Sequence, residues 1–208
     1  MLLSRDIALQ TAELLLKIKA VKLSPKEPFT WASGIQSPIY CDNRITLSFP
    51  EIRTFIRQQF CNAIREHFED AEAIAGVATG GIALGVLVAQ ELGLPFAYVR
   101  SGKKEHGLTN LIEGRLEEGQ RIVVVEDLIS TGGSSLNAVS ALREAGCNVS
   151  GMVAIFTYNL PVSIQKFNAA DCTLITLSDY DVLIEKALKT GYVNEEDLKV
   201  LNDFKNAF

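Results

Sequence analysis

Residues that bind metals through nitrogen or sulfur are scarce in this sequence, which has two His and four Cys among 208 residues. The cysteines are Cys41, Cys61, Cys147 and Cys172. They form no CxxC pair, so we expect no structural zinc site and predict no residue that binds a metal directly. We interpret them as reduced thiols of a cytoplasmic protein. A cytoplasmic location is also indicated by the charged residues Arg5 and Asp6, which stand where a signal peptide has its apolar core.

An excess of positive charge is also lacking. Twenty Lys and Arg residues against 25 Asp and Glu give a net charge of −5, which repels polyphosphates and argues against nucleic-acid binding. One uncharged run, residues 73–90, reaches the 18 residues at which a membrane span becomes possible, but Thr79-Gly80-Gly81 interrupts it. We predict a strand, a glycine turn and a buried helix there, in a soluble protein.

The sequence has no internal repeat and no linker, so residues 1–208 are predicted to form one domain. Apolar strand-like runs recur at 73–78, 95–99, 121–126, 151–157 and 172–176. Helical patterns at 81–92, 134–145 and about 161–169 separate most of them. This alternation predicts an α/β fold, a mostly parallel central sheet flanked by helices.

Further helices are predicted at the two ends of the chain. Ser4 and Pro50 are typical of helix starts, and Ser178 with Asp181, and then Asn194, indicate two helices near the C-terminus. Between them, residues 100–120 are too polar for a core and too long for a plain connection. Loops of that length are usually functional or mobile.

The strongest chemical signal lies at residues 122–135, where an apolar strand leads to Glu126 and Asp127 and then to a Ser/Thr/Gly loop before a helix. Such a loop offers free backbone N–H groups and the positive end of a helix dipole, which together suit a phosphate. The two acids suit a ligand with a vicinal diol or a developing positive charge, as in a ribose 5-phosphate. The alternative interpretation is a strand that ends in solvated acids before a capped helix. The run is neither a Walker motif nor GxGxxG.

This run resembles the signature of type I phosphoribosyltransferases, which bind 5-phosphoribosyl 1-diphosphate (PRPP). Three further segments narrow the resemblance to the orotate phosphoribosyltransferase family. FTWASG at 29–34 with SPIY at 37–40, Asp42 and Arg44 resembles its N-terminal hood, about residues 1–45. RSGKKEHG at 100–107 resembles its mobile catalytic loop, about 100–119, and IEG at 112–114 continues that loop.

The resemblance implies the type I phosphoribosyltransferase fold and a reaction of de novo pyrimidine (UMP) biosynthesis. In that reaction the ribose 5-phosphate of PRPP passes to orotate, giving orotidine 5′-monophosphate and diphosphate. It further implies Mg²⁺, bound mainly through the PRPP diphosphate and ribose hydroxyls, and a homodimer whose active sites are shared between subunits. No nucleic-acid or membrane partner is expected.

The resemblance also assigns roles to residues. Lys104, His106 and Asp127 are the predicted catalytic residues, and Lys103 could assist Lys104. The predicted PRPP-binding residues are Arg100, Lys104, His106, Glu126, Asp127, Leu128, Ile129, Ser130, Thr131, Gly132, Gly133 and Ser134. Glu126 and Asp127 would hold the ribose hydroxyls, 130–134 the 5-phosphate, and Arg100, Lys104 and His106 the diphosphate.

For orotate, the expected partners are Ser130, Arg44 and backbone groups of the hood. Many family members place an arginine after the fourth core strand, and residues 157–161 have none. Arg44 could instead pair structurally with Asp42. Two other functions stay open: a phosphoribosyltransferase for another base, and a PRPP-sensing regulator without catalysis. The negative net charge and the basic loop with Lys104 count against the regulator.

Overall fold

The computed structural model describes residues 1–30, 34, 36–100, 102 and 111–207. The strands are β1 (Val21–Leu23), β2 (Phe29–Thr30), β3 (Gln36–Ser37), β4 (Ile39–Cys41), β5 (Ala73–Val77), β6 (Phe96–Val99), β7 (Ile112–Glu113), β8 (Arg121–Ile129), β9 (Asn148–Thr157) and β10 (Leu174–Asp179). The helices are α1 (Arg5–Lys17), α2 (Pro50–His67), α3 (Gly80–Leu92), α4 (Gly133–Glu144), α5 (Pro161–Ala169), α6 (Tyr180–Lys189) and α7 (Glu195–Asn206), with a 3₁₀ helix η1 (Asn43–Ser48).

A six-stranded sheet in the order β10-β9-β8-β5-β6-β7 forms the centre of the fold. All neighbouring pairs are parallel except β6 and β7, which are antiparallel. The predicted mostly parallel sheet is thereby confirmed, and each predicted strand run forms a strand. β7 was missed. It lies within the segment interpreted as a loop, and Ile112 is buried against the sheet.

Helices cover both faces of the sheet. Because successive residues of a strand point to opposite sides, each strand packs against both layers of helices. On β8, Val123 and Val125 pack into a core with α1, α2, α3 and α6. Ile122 and Val124 pack into a second core with α4 and α5. The apolar strand run therefore serves two cores. Among the described residues, no helix is long and apolar enough to cross a membrane.

One predicted helix start was misplaced. Asp179, rather than Ser178, caps α6, and its carboxylate accepts the N–H of Val182. The reason is that β10 continues through Asp179, which pairs with Thr157 of β9. Ser178 is therefore a strand residue whose hydroxyl donates to the carbonyl of Ala8. The caps predicted at Ser4 and Asn194 are present.

The N-terminal segment is divided between the core and the region above the sheet. Helix α1 contributes Ala8, Ala12 and Leu15 to the first core. The chain then forms two small antiparallel pairs, β1 with β4 and β2 with β3. Within the described residues of the predicted hood, the segment from β4 into η1 reaches the carboxyl ends of the central strands.

Candidate active site

A cleft of about 440 Å³ opens at the carboxyl ends of β5 and β8. These strands are neighbours, but the chain leaves β5 toward β6 on one side and β8 toward β9 on the other. Ligands of open α/β sheets bind at this kind of topological switch point. The lining residues are Cys41, Asp42, Arg44, Ala78, Thr79, Gly80, Glu126, Asp127, Leu128, Ser130, Thr131, Gly132, Gly133 and Ser134.

Glu126 is turned toward the protein interior, with only 4% of its surface exposed. One carboxylate oxygen accepts the N–H of Asp127 at 2.9 Å, and the other accepts the Ser135 hydroxyl at 2.9 Å. Burial, followed by the neighbouring charge of Asp127, raises the pKa of Glu126 well above its usual range. Each oxygen thus already has a partner within the chain, so Glu126 could reach a ribose hydroxyl only through its remaining lone pairs.

Asp127 is held on three sides. Its N–H is bound by Glu126, and its carbonyl accepts the Asn43 side-chain amide at 2.6 Å. Its carboxyl group lies against Gly80, in space that a Cβ there would occupy. Asp127 and Glu126 are consecutive residues within β8, which continues to Ile129 instead of ending at the acids.

The predicted phosphate loop leads into α4. Gly132 precedes the helix with a φ of +78°, a left-handed conformation that glycine adopts without strain. No side chain caps this helix start. The first N–H groups of α4 have no acceptor within the helix and carry the positive end of its dipole. This part of the cleft therefore suits an anion.

A second helix starts in the same cleft. Thr79 and Gly80 line it at the beginning of α3, where again no side chain caps the helix. Glycines let this turn approach the sheet closely: a Cβ on Gly81 would lie 2.4 Å from the carbonyl oxygen of Val125. The Ala78–Thr79 peptide bond is cis. Two helix N-termini thus face one cleft, so it can bind two anionic groups.

Arg44 forms a bidentate ion pair with Asp42, from Nε to Oδ1 at 2.7 Å and from Nη2 to Oδ2 at 2.9 Å. The hydrogen bond from Arg44 is the main cause that lowers the pKa of Asp42. Both residues line the cleft, and the Arg44 side chain is 58% exposed. The Asp42–Arg44 pair left open by the sequence is therefore present, and a contact of Arg44 with substrate stays a prediction.

The other predicted residues lie in several places. Leu128 and 130–134 line the cleft, but Ile129 is fully buried in the second core, so only its backbone is near the loop. Arg100 lines a neighbouring pocket of about 380 Å³ and lies 3.5 Å from a carboxylate oxygen of Glu113. Lys103, Lys104 and His106 lie outside the described residues.

Two buried polar contacts of the site were not predicted from the sequence, in which Asn43 was considered only as a hood residue whose backbone N–H could bind orotate. Asn43 and Ser135 are each 1% exposed, and they bind Asp127 and Glu126, respectively. Ser135 could have been suspected, because it lies one turn into the helix that follows the acids. Asn43 carries no such signal, since it is 84 positions from its partner.

Comparison with known proteins identifies the family. Residues 48–179 match the model of the phosphoribosyl transferase domain. Orotate phosphoribosyltransferase of Phocaeicola vulgatus is 59% identical over 194 residues, covering 93% of this chain and 92% of the relative. That of Streptococcus gordonii is 55% identical over 199 residues, covering 96% and 95%.

Solved structures agree with the fold. Orotate phosphoribosyltransferase from Aeropyrum pernix superposes with a TM-score of 0.77 at 26% identity, covering 88% of this chain and 99% of that one. Adenine phosphoribosyltransferase from Leishmania tarentolae superposes with a TM-score of 0.65 at 23% identity, covering 89% and 93%, a likeness of fold alone. The fold is common to the orotate and adenine enzymes, whereas the sequence identities of 55–59% are to orotate phosphoribosyltransferases. They confirm the resemblance drawn from the motifs, and the chain belongs to the orotate phosphoribosyltransferase family.

Proposed function

We propose that the protein transfers the ribose 5-phosphate group of PRPP to N1 of orotate, forming orotidine 5′-monophosphate and diphosphate in de novo UMP biosynthesis. The observation that carries this proposal is that α3 and α4 both begin in the cleft that contains Asp127. PRPP carries an anionic group at each end of its ribose. Each group can therefore meet one helix N-terminus, with the sugar at Asp127 between them.

The proposed reaction breaks the bond between C1 of the ribose and the diphosphate oxygen, forms the bond from C1 to N1 of orotate, and releases the N1 proton. Positive charge develops on the ribose while negative charge grows on the diphosphate. The carboxylate of Asp127 stabilises the first, and the N–H groups at the start of α3 stabilise the second. Catalysis is thus mainly electrostatic, from groups that are placed before the reaction.

Mg²⁺ is the proposed cofactor. The described residues include no cluster of three or more side chains suited to hold a metal ion. The cleft fits an ion that would take most of its oxygen ligands from the substrate, which is how Mg²⁺ usually binds with phosphates, and the carboxylate of Asp127 lines it. When bound, the ion would neutralise charge on the diphosphate.

Orotate is proposed to bind between Ser130 and the hood. Its carboxylate would be costly to bury without a partner. Arg44 lies at the cleft, and its pairing with Asp42 leaves N–H groups on the outer edge of the guanidinium. Ser130 lies on the cleft wall next to the acids. We infer that these two groups, with hood N–H groups, select the base.

The basic loop and a second subunit complete the proposed site. Lys104 and His106, with Arg100, would close over the diphosphate, and the loop is proposed to act in the partner's cleft of a homodimer. A diphosphate leaving group needs positive charge beside it. In the described part of the cleft the charge of Arg44 is already neutralised by Asp42, which supports a further source of cations. A cytoplasmic location is supported by the four unpaired cysteines.

The test is the ultraviolet absorbance change when purified protein meets orotate, PRPP and Mg²⁺. We expect orotate to be consumed, the reaction to stop with a chelator, and added Mg²⁺ to restore it. Uracil and adenine serve as control bases and should be inert. Turnover of uracil or a purine with orotate inert would overturn the orotate assignment in favour of another base. PRPP binding without any turnover would instead favour a sensor.

A further inference from the structure

Asn43 forms a buried link between the hood and the acidic end of β8. It is the first residue of η1, and its side chain is 1% exposed. The amide nitrogen donates to the carbonyl of Asp127 at 2.6 Å, and the amide oxygen accepts the Cys41 thiol at 3.3 Å. The Asn43 carbonyl in turn accepts the Thr46 hydroxyl at 2.6 Å, which closes the turn.

The neighbours of Asn43 leave its amide one orientation. Burial raises the pKa of the Cys41 thiol well above its usual range, so the thiol keeps its proton and remains a donor. The amide oxygen must therefore face Cys41, and the amide NH₂ faces Asp127. Because both polar ends have a partner inside the protein, turning the side chain would break two partly buried hydrogen bonds.

The contact with Asp127 is made to its backbone, and this has a wider effect than a side-chain contact. A peptide unit is planar, so fixing the Asp127 carbonyl also fixes the direction of the Leu128 N–H. The N–H of Asp127 is bound by Glu126, and its carboxyl group lies against Gly80. Asn43 therefore adds a third contact that holds Asp127, besides those of Glu126 and Gly80, and this contact comes from the hood.

We propose that Asn43 is a positioning residue that sets the orientation of Asp127 and couples it to the position of the hood. The inference rests on the proposed function, in which Asp127 stabilises the positive charge that develops on the ribose. A residue of this kind acts on the transition state more than on substrate binding. Its loss should therefore lower turnover and leave the affinity for both substrates nearly intact.

The first test compares Asn43→Ala and the isosteric Asn43→Asp with Thr46→Val as the matched control. Thr46→Val removes a buried hydrogen bond of the same turn without touching Asp127. We expect both Asn43 variants to lose about 10–100-fold in kcat, the scale of a small misplacement of a catalytic group, with each KM changed less than about threefold. Thr46→Val should lower the unfolding temperature and keep kcat. Thermal unfolding of all variants shows which are folded at the assay temperature.

The second test is a double-mutant cycle with Asp127→Asn. If Asn43 acts through Asp127, adding Asn43→Ala to Asp127→Asn should cost much less than it costs the wild type. The proposal is overturned if the two losses in kcat multiply in full in the double mutant. It is also overturned if folded Asn43 variants keep the wild-type kcat, or if both KM values rise by the same factor by which kcat falls. The wild-type protein separates the two hypotheses: inert orotate defeats the proposed function, and the same cycle is then measured with whichever base is turned over.

Discussion

The carboxyl group of Asp127 occupies the space that a side chain on Gly80 would need, and both residues line the cleft. An ideal Cβ built on Gly80 would lie 2.2 Å from Cγ of Asp127, closer than any two such atoms can approach. The first turn of α3 and the acid of β8 are thus fitted to each other across two elements. The absence of a side chain at residue 80 is what allows Asp127 to lie beside the helix N-terminus.

Gly80→Ala should therefore displace the Asp127 carboxyl group and lower kcat by about 10–100-fold, the cost of a small misplacement near the reacting centre. Gly85→Ala is the matched control, because it adds the same methyl group to the same helix but crowds the Phe96 ring, away from the cleft. It should lower the unfolding temperature and spare kcat. Steady-state kinetics with thermal unfolding measure both, and equal kcat in the two variants would contradict the expected effect.

Asp127→Asn should leave the fold intact and reduce turnover by about 10²–10³-fold, as loss of one electrostatic partner of a transition state does. The amide keeps the size of the carboxylate and still fits against Gly80, so circular dichroism and the unfolding temperature should match the wild type. A variant that turns over at nearly the wild-type rate would remove Asp127 from the mechanism.

The sequence allowed the layers of the fold to be predicted, because Val-rich runs and helix starts such as Pro50 are local signals. The direction of Glu126 was not predictable in the same way. The sequence suggested a strand that ends at the acids, but β8 pairs with β9 as far as Ile129, and Glu126 is buried against Ser135 of α4. β7 depends on pairing with β6, and the link from Asn43 to Asp127 joins residues 84 positions apart. Such contacts are tertiary, and one sequence carries no pattern for them.

Glu126→Gln should stabilise the protein at neutral pH. In the folded state burial raises the pKa of Glu126 above its ordinary value of 4.5, so the folded protein binds more protons than the unfolded chain above that pH. The free energy of unfolding therefore falls as the pH rises through the window between the two pKa values. The amide can still accept from the Asp127 N–H and can donate to the Ser135 hydroxyl.

Thermal unfolding between pH 5 and 8 measures this effect, with about 2–4 °C expected for each kcal/mol in a chain of this size. The advantage of the variant should be largest at pH 8 and shrink toward pH 5. The Asp42–Arg44 pair does not interfere, because the lowered pKa of Asp42 makes its contribution fall only below about 3.8. A variant less stable than the wild type at pH 8 would contradict the assigned cause.

Arg44→Ala and Asp42→Asn together test what Arg44 binds. If Arg44 binds the orotate carboxylate, Arg44→Ala should raise the orotate KM about tenfold or more, the loss expected for one charge-assisted hydrogen bond, with the PRPP KM nearly unchanged. Asp42→Asn frees the guanidinium from its ion pair, so the orotate KM should stay the same or fall. Parallel increases of both KM values in both variants would show that the pair is structural.

A mixture of two inactive variants tests the shared active site. Lys104→Ala removes the proposed diphosphate cation from one chain, and Asp127→Asn removes the acid from the other. If the loop of one subunit acts in the cleft of its partner, each mixed dimer of C2 symmetry holds one site with both residues intact and one with neither. Random subunit exchange should then restore about a quarter of the wild-type activity.

The control is a mixture of Gly80→Ala with Asp127→Asn. The two substituted positions line the same cleft, the one formed within each chain. No mixed dimer of that pair holds an intact site, so its activity should not rise. If the Lys104→Ala and Asp127→Asn mixture stays inactive after exchange has been shown by mass spectrometry, each cleft works with its own loop and the sites are not shared.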